Sequence, residues 1–320
     1  MISKLKFYAK LFLKKTYRKE IFDMVNTGVT RKSTSRNPGN TKIMILRRGN
    51  KAVGVFSDYI VFLGQIEEAV SMGYVPIIDR QTVKNDFFPA DDSVNTWEVF
   101  FEQPFKMELQ DITDTMDVYI NNLKPSVSPI SIMHCADGDI QEYWRKMARK
   151  YIRLNDAMKE IVETNYAAFM KGRRVLGIAI REGYTKLGEQ ERGKVAEHPI
   201  QAATVEMLEL AKKYSKEWDC PYVYITCQTA DTVEQFQKEF GEKALFYPKA
   251  RPAYKDLLEG TALKNVDKAD AKQHEINYVA EMTLLAKCTS MMCSENSGAE
   301  GAFIMSKGFE HFLCVDKGRY

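Results

Sequence analysis

The sequence predicts an α/β protein with parallel sheets, and two observations support this prediction. Apolar runs typical of buried strands, "KIMILRR" (42–48) and "YVPIID" (74–79), are separated by one helical stretch (58–73), which is the spacing of a βαβ unit. The same alternation returns in the second half of the chain. Because 320 residues suffice for two such domains, we expect two Rossmann-like domains facing a cleft.

The first half opens on a basic segment. Residues 1–25 interleave apolar side chains with lysines and arginines, which is typical of an amphipathic helix on an anionic membrane face. Docking of this helix on the protein's own core is the alternative. Residues 26–41 are polar and rich in turn formers, so they are predicted to be a linker. Residues 42–165 are predicted to form the N-terminal domain, on the acceptor side.

Residues 166–320 are predicted to form the C-terminal domain, on the donor side, after a long helical region at 139–172. Its elements follow in order: strand 173–180, helix 198–218 with a proline in its first turn, strand 221–227, helix 230–241 capped by Asp231, strand 243–248, helix 275–288, strand 289–295, helix 296–308 and a last strand, "HFLCV". Residues 254–274 are predicted to be loop-like.

Composition excludes several classes of function. A net charge of +3 is too small for a typical nucleic-acid binder. Six scattered cysteines without a CxxC pair indicate reduced thiols in a cytoplasmic protein, and four widely spaced histidines form no metal motif. No apolar run reaches the length of a membrane span, and no signal-peptide cleavage site is recognisable, so any membrane contact is expected to be peripheral, at the inner face.

Ligands of open α/β sheets bind beyond the carboxyl ends of the strands. The strand "VLGIAI" is followed by Arg181, whose guanidinium is suited to gripping a phosphate. A surface arginine at a strand end is the alternative. In "CSENSGAEGAF", Ser297 and Gly298 fall where a strand turns into a helix, and a helix start of small residues favours an anion.

The loop "GNKAVGVFS" (49–57) of the first half carries Gly54 and Ser57 between a strand and a helix. It matches neither the dinucleotide fingerprint nor the P-loop, which argues against both of those classes. The sequence "DGD" at 137–139 is similar to an Asp-x-Asp metal motif, but acidic residues that open a helix are explained by capping. We favour capping.

Several segments, taken in order, resemble one family. "GVFS", "GYVPIID" and "NTWEVFFEQPF", then "LGIAIREGYTKL", "EHPIQ", "YVYITCQTADTVEQFQKEFG" and "NYVAEMTLLAKCTSMMCSENSG" resemble bacterial polysaccharide-biosynthesis glycosyltransferases related to the α-1,6-fucosyltransferase and nodulation-factor fucosyltransferase family. The resemblance covers roughly residues 42–318 and implies a GT-B fold. It also implies inverting transfer from GDP-fucose or a similar nucleotide sugar, with no other cofactor and no metal.

The resemblance also implies roles for residues. Arg181 matches the arginine that holds the donor diphosphate, and Glu182 stands where the family has a second arginine. Ser297 matches a diphosphate contact. A loop glutamate is the implied general base, and Glu189, Glu191 and Glu197 are the candidates, of which Glu189 and Glu197 are preferred. The implied donor-binding set comprises Arg181, Tyr184, His198, Gln228, Thr229, Glu281, Asn296, Ser297 and Gly298, with Gly54 and Ser57 on the acceptor side.

We therefore expect a glycosyltransferase that moves a sugar, fucose first among the candidates, onto a cell-surface glycan. Two alternatives stay open at this point. One is a transferase that uses another nucleotide sugar, and the other is a catalytically degenerate carbohydrate-binding protein.

Overall fold

The computed structural model describes residues 29–31, 41–49, 53–83, 93–182, 198–258 and 268–320. The chain divides into two compact units, Met1–Ala157 and Met158–Tyr320. No helix among the described residues is long and apolar enough to cross a membrane. The predicted helix at 1–25 lies outside the described residues, so its contact with a membrane stays a prediction.

The first unit contains a four-stranded sheet in the order β1-β4-β2-β3. Strands β2, β3 and β4 are mutually parallel, and β1 pairs antiparallel with β4. The strands are β1 (Val29–Arg31), β2 (Lys42–Leu46), β3 (Val75–Ile78) and β4 (Asp117–Asn121), and the helices are α1 (Val55–Ser71), α2 (Gly138–Tyr151) and the start of α3 (Asp156–Phe169). The predicted βαβ unit is therefore present.

Three boundaries in the first unit differ from the prediction. The segment predicted as a linker contains strand β1, which forms because β4 offers it a partner. Helix α1 starts at Val55, so Ser57 belongs to its first turn and not to a loop. The long helix predicted at 139–172 is two helices, because the amide of Asn155 donates to the carbonyls of Glu98 and Val99 and holds the chain between α2 and α3 out of helical form.

The second unit contains a five-stranded, fully parallel sheet in the order β7-β6-β5-β8-β9. The strands are β5 (Val175–Ala179), β6 (Tyr222–Thr226), β7 (Ala244–Leu245), β8 (Ser290–Cys293) and β9 (Phe312–Cys314), and the helices after α3 are α4 (Thr204–Glu217), α5 (Ala230–Phe240), α6 (Tyr254–Leu258), α7 (Lys268–Leu285) and α8 (Ser297–Met305). Every strand predicted here is present, although β7 is only two residues long.

Helices cover both faces of this sheet, as a parallel sheet requires. Helix α7 lies so close to β5 that a Cβ on Gly177 would come within 2.6 Å of Leu285 and 2.9 Å of Cys288. The glycine in "VLGIAI" therefore permits close packing of helix on strand. The buried cluster on the sheet includes Leu176, Ile178, Val223, Ile225 and Phe236.

Three predictions for the second unit are wrong in detail. Helix α4 starts at Thr204, because Pro199 pairs with Arg319 in an isolated bridge and the residues before the helix run extended. The cap of α5 is Thr229 and not Asp231, whose carboxylate accepts from the N–H of Tyr254. Helices α6 and α7 occupy part of the segment at 254–274 that was predicted to be loop-like.

Candidate functional site

The carboxyl ends of β5, β6 and β8 lie side by side. Ala179 is in register with Thr226 on one side and with Cys293 on the other. The residues that follow these strands therefore share one edge of the second sheet, which we call the donor edge: 180–182, 227–229 and 294–297. In open α/β sheets this is where ligands bind.

Arg181 lies at the donor edge and is half-buried. Its charge acts on Tyr278 of α7: burial raises the pKa of that phenol, and Arg181 opposes the rise. The hydroxyl of Tyr278 in turn occupies the space above Gly298, since a Cβ on this glycine would lie 2.2 Å from it. Tyr278 thus packs over the start of α8 and lies within electrostatic range of Arg181.

The first turn of α8 offers backbone donors. Among the described residues, nothing accepts from the N–H groups of Ser297 and Gly298, as expected at a helix start. Asn296 is the cap: its side-chain oxygen accepts from the N–H of Ala299 at 2.9 Å, and its amide donates to the carbonyl of Ser294 at 3.0 Å. Asn296 therefore shapes the turn, and Ser297 and Gly298 present the donors that an anion needs.

Glu182 is an internal brace. It is buried, and its carboxylate accepts from the N–H of Gln228 at 2.8 Å and from the N–H and hydroxyl of Thr229 at 3.1 and 2.9 Å. The carboxylate thereby ties the end of β5 to the start of α5, where a negative charge is stabilised by the helix dipole. An acidic residue beside Arg181 is thus explained by the fold.

The hydrogen bonds of Glu182 involve two residues that were predicted to contact the donor, Thr229 and Gln228. Thr229 is fully buried with its N–H and its hydroxyl both donating to Glu182, so its position is that of a structural residue. Gln228 is half-buried, and its side-chain oxygen is a buried atom without a hydrogen-bond partner among the described residues. A ligand contact of Gln228 stays a prediction.

Glu281 of α7 forms a buried cluster that the sequence did not reveal. Its carboxylate accepts from Lys249 at 2.6 Å and from Arg251 at 2.8 Å, and all three side chains are at most 10% exposed. Burial raises the pKa of Glu281, and Lys249 and Arg251, both at salt-bridge distance, oppose the rise and stabilise the ionised carboxylate. We call this group the Glu281 cluster, and it carries a net charge of +1.

The Glu281 cluster reaches the donor edge. Arg251 also donates to the carbonyl of Cys227, which directly follows β6. Tyr278 lies one turn before Glu281 on α7. Lys249 and Arg251 are therefore candidate donor-site residues that sequence reasoning missed, and the signal that could have found them is the pair of cations in "YPKARP" after β7.

The segment before α4 also reaches the donor edge. The N–H of Ala202 donates to the hydroxyl of Ser294, and the amide of Gln201 donates to the carbonyl of Glu295. His198 is exposed, and its carbonyl accepts from the N–H of Tyr320. The structure thus holds the His-Pro segment next to the loop after β8 through its backbone and Gln201, and a ligand contact of His198 stays a prediction.

Four predicted residues lie outside the described part of the chain: Tyr184, Glu189, Glu191 and Glu197. Asp137 caps α2 by accepting from the N–H groups of Asp139 and Ile140, which confirms the capping interpretation of "DGD". Among the described residues, no group of three or more His, Cys, Asp or Glu could hold a metal ion.

In the first unit, which is predicted to be the acceptor side, a second charged cluster surrounds the start of α1. Asp58 forms a bidentate salt bridge with Arg80 and also accepts from Arg48 at 3.1 Å. Arg48 donates in addition to the hydroxyl of Ser57 at 3.0 Å. Arg48 and Arg80 follow β2 and β3, so this Asp58 cluster lies at the carboxyl edge of the first sheet. A Cβ on Gly54 would meet nothing within 4 Å, so the space in front of this glycine is open.

The fold class predicted from the sequence, two Rossmann-like α/β units of the GT-B type, is confirmed by comparison with solved structures. NodZ alpha-1,6-fucosyltransferase soaked with GDP-fucose matches with a TM-score of 0.50 at 13% identity, over 83% of this chain and 93% of that chain. POFUT1 in complex with GDP matches with a TM-score of 0.52 at 7% identity, over 87% and 99% of the two chains.

A FUT1 variant from Arabidopsis thaliana in complex with GDP matches with a TM-score of 0.53 at 12% identity, over 99% of this chain and 80% of that chain. At these identities the comparison shows a shared fold. No protein-family model and no curated protein matches the sequence.

Proposed function

We propose that the chain is a glycosyltransferase that transfers fucose from GDP-fucose to a glycan acceptor. The observation that carries this proposal is the donor edge, where Arg181 lies within electrostatic range of Tyr278 and Tyr278 packs over the helix start at Ser297 and Gly298. The fold adds support, because solved structures that share it contain GDP or GDP-fucose. Fold alone does not define a function, so the site has to carry the argument.

The proposed chemistry requires stabilisation of a leaving diphosphate. As the bond from sugar to phosphate breaks, negative charge grows on the diphosphate, and fixed donors aimed at it lower the barrier. Arg181 and the N–H groups of Ser297 and Gly298 supply these donors. The net positive charge of the Glu281 cluster adds to the same field, so Lys249 and Arg251 are proposed as supporting residues.

The acceptor hydroxyl has to lose its proton as it attacks the sugar. A carboxylate within hydrogen-bond reach can take that proton, and we propose Glu189 or Glu197 for this role. A single displacement of this kind inverts the configuration at the sugar carbon. The proposed mechanism is metal-independent, with protein cations in place of a divalent ion.

The first test is stabilisation of the full chain by nucleotides. A ligand at 100 times its dissociation constant should raise the free energy of unfolding by about 2.7 kcal/mol. We expect this response with GDP and not with UDP, and we expect Arg181→Ala to abolish it because the diphosphate loses its guanidinium. Thermal denaturation at graded nucleotide concentrations measures both effects.

Arg174 provides the matched control. It lies just before β5, at the opposite end of the strand from Arg181, and it pairs at the surface with Glu310. Arg174→Ala should leave the GDP response intact. A response to UDP alone would point to another nucleotide sugar, and no response to any nucleotide would contradict the transferase proposal and favour a carbohydrate-binding protein without transfer activity.

A further inference from the structure

The first unit contains a cavity of about 680 Å³ whose lining residues are all outside the donor edge. Its floor is the face of the first sheet that carries Ile45 and Val118, and its walls come from the chain after β3 and from residues 108–116. The lining consists of Ile45, Arg47, Asp79, Gln81, Thr82, Ser93, Asn95, Glu98, Glu108, Leu109, Gln110, Ile112, Thr113, Asp114, Met116 and Val118.

Among the described residues, the face of the sheet beside the cavity is covered by a loop and not by a helix. A parallel sheet normally has helices on both faces. Helix α1 packs on the strands β2 and β3, whereas the face with Ile43 and Ile45 is met by a loop with a single short turn, Leu109–Asp111. Leu109 and Ile112 are only half-buried there. The apolar side chains of the loop pack on the sheet, and its polar residues, with those that follow β3, surround the cavity beside them.

One carboxylate in the wall is fixed by hydrogen bonds to one of its two oxygens. Glu98 is half-buried, and its Oε1 accepts from the amides of Asn95 at 3.1 Å and Gln103 at 2.7 Å. Both amides also donate to the carbonyl of Ile78, which locks them onto the edge of β3. The Oε2 of Glu98 accepts no hydrogen bond from any described residue. A rigid acceptor is therefore available to a ligand.

The charge of the lining decides which ligands fit. Among the described residues that line it, Arg47 is the only cation, and it pairs with Asp79 at 2.6 Å. Three further carboxylates, those of Glu98, Glu108 and Asp114, have no cation beside them among the described lining residues. An anionic ligand would be repelled, and the described residues contain no group of acidic side chains placed to hold a metal ion.

We propose that this cavity binds a saccharide that carries no acidic group. Sugar hydroxyls donate well to a fixed carboxylate, which makes Glu98 the principal acceptor. The apolar C–H face of a pyranose ring packs on Leu109 and Ile112, and Thr113 lies at the exposed rim. The site belongs to the first unit alone, and its occupation does not depend on the GDP-sugar proposal.

The test measures the binding of a panel of small ligands to the full chain by saturation-transfer NMR. The panel contains glucose, galactose, mannose, fucose, glucosamine, glucuronic acid and spermidine. We expect at least one neutral or amino sugar to bind and glucuronic acid to bind at least about tenfold more weakly, which corresponds to one unfavourable charge contact of about 1.4 kcal/mol. The proposal would be overturned if glucuronic acid or spermidine bound more tightly than every neutral or amino sugar of the panel, or if no ligand bound.

Two variants locate the binding. Glu98→Ala should weaken the best sugar about tenfold, the value of one hydrogen bond to a charged group. Thr113→Trp should block the cavity, and because Thr113 is exposed the fold should tolerate the change. Glu142→Ala is the matched control, since it removes an exposed carboxylate of the same unit that pairs with Arg149. Equal sugar binding by wild type and both variants would place the sugar elsewhere.

The same samples separate the two proposals. Glu98→Ala should keep the thermal response to GDP, because Glu98 and Arg181 belong to different units. A protein that binds sugar at Glu98 and ignores all nucleotides contradicts the donor proposal alone. A protein that responds to GDP and binds no sugar of the panel contradicts the cavity proposal alone.

Discussion

Both units place a buried carboxylate between two cations at the carboxyl edge of a parallel sheet, and they do so by different routes. In the first unit Asp58 is held by Arg48 and Arg80, which follow neighbouring strands. In the second unit Glu281 lies inside α7, and its two cations come from the loop after β7. Each cluster leaves a net charge of +1 near a helix start. The comparison shows that this electrostatic arrangement is not tied to one position in the fold.

The two clusters also differ in how deeply their most buried cation lies. In the first cluster Arg80 is 1% and Arg48 17% exposed, and in the second Arg251 is 6% and Lys249 10% exposed. A buried charge that cannot reach water depends more on its partner. Arg80 should therefore depend on its carboxylate more strongly than Arg251 does.

The largest expected effect follows from removal of each shared carboxylate. Asp58→Ala should lower the free energy of unfolding by about 3–5 kcal/mol, because the charge of Arg80 stays buried without that carboxylate. Glu281→Ala should cost less, because Arg251 is more accessible than Arg80 and Lys249 can extend toward solvent. Urea denaturation of both variants measures the difference.

Glu142→Ala again serves as the reference, since its pair with Arg149 is exposed and should contribute about 1 kcal/mol or less. If Asp58→Ala and Glu281→Ala both lost as little unfolding free energy as this reference, the two clusters would be hydrated, and burial would not explain their energetics. A larger loss for Glu281→Ala would show that Arg251 depends on its carboxylate more than Arg80 does.

An intermediate effect is expected at the two helix starts. Gly298→Ala should cost about 1–3 kcal/mol, because its Cβ would lie 2.2 Å from the hydroxyl of Tyr278 and one of the two must move. Gly54→Ala should be tolerated, since a Cβ there meets nothing within 4 Å. Thermal denaturation of the two variants compares the crowding directly.

Tyr278→Phe provides the rescue. It removes the hydroxyl that meets the new Cβ, so the double variant Gly298→Ala/Tyr278→Phe should recover part of the lost stability. No recovery would show that the helix start is crowded by another group, such as Met282, whose sulfur would lie 3.1 Å from that Cβ.

The smallest expected effect concerns Glu98 and pH. Burial raises the pKa of this carboxyl in the folded chain, with repulsion from Glu108 in the same direction, although hydrogen bonds from Gln103 and Asn95 oppose it. The folded state then holds the proton more tightly than the unfolded state. Stability should therefore fall as pH rises from the unfolded pKa through the folded pKa.

Glu98→Gln should remove this dependence and raise stability at neutral pH by at most about 1 kcal/mol, at the expense of sugar binding. Urea denaturation at pH 4 to 7, a window around the carboxyl pKa values of about 4, measures it against Glu142→Gln. Unchanged pH dependence in Glu98→Gln would show that another group is responsible.

Much of the fold could be predicted because the signals are local. The strands β2, β3, β5, β6 and β8 appear as apolar runs, and the strand β4, "DVYIN", was missed because it mixes polar and apolar residues. The break between α2 and α3 was also missed. It depends on bonds from Asn155 to carbonyls more than fifty residues away, and no local pattern carries such information.

The candidate site divides in the same way. Arg181, Ser297 and Gly298 could be placed at strand ends from the order of apolar runs, whereas Lys249, Arg251 and Tyr278 could not. Glu182 is the clearest case. Next to Arg181 in sequence it suggests a changed ligand site, and only its contacts with the start of α5, 46 and 47 residues away, show that it braces the fold.

The sequence by itself determined the α/β class, the order of strands and helices, and the residues that end each strand, because hydrophobic periodicity is a property of neighbouring residues. The tertiary structure alone decided which charges are buried and with which partners. Burial makes a charge dependent on its neighbours in space, and those neighbours come from distant parts of the chain. The buried charge clusters of both units and the acidic cavity of the first unit arise from that choice of partners.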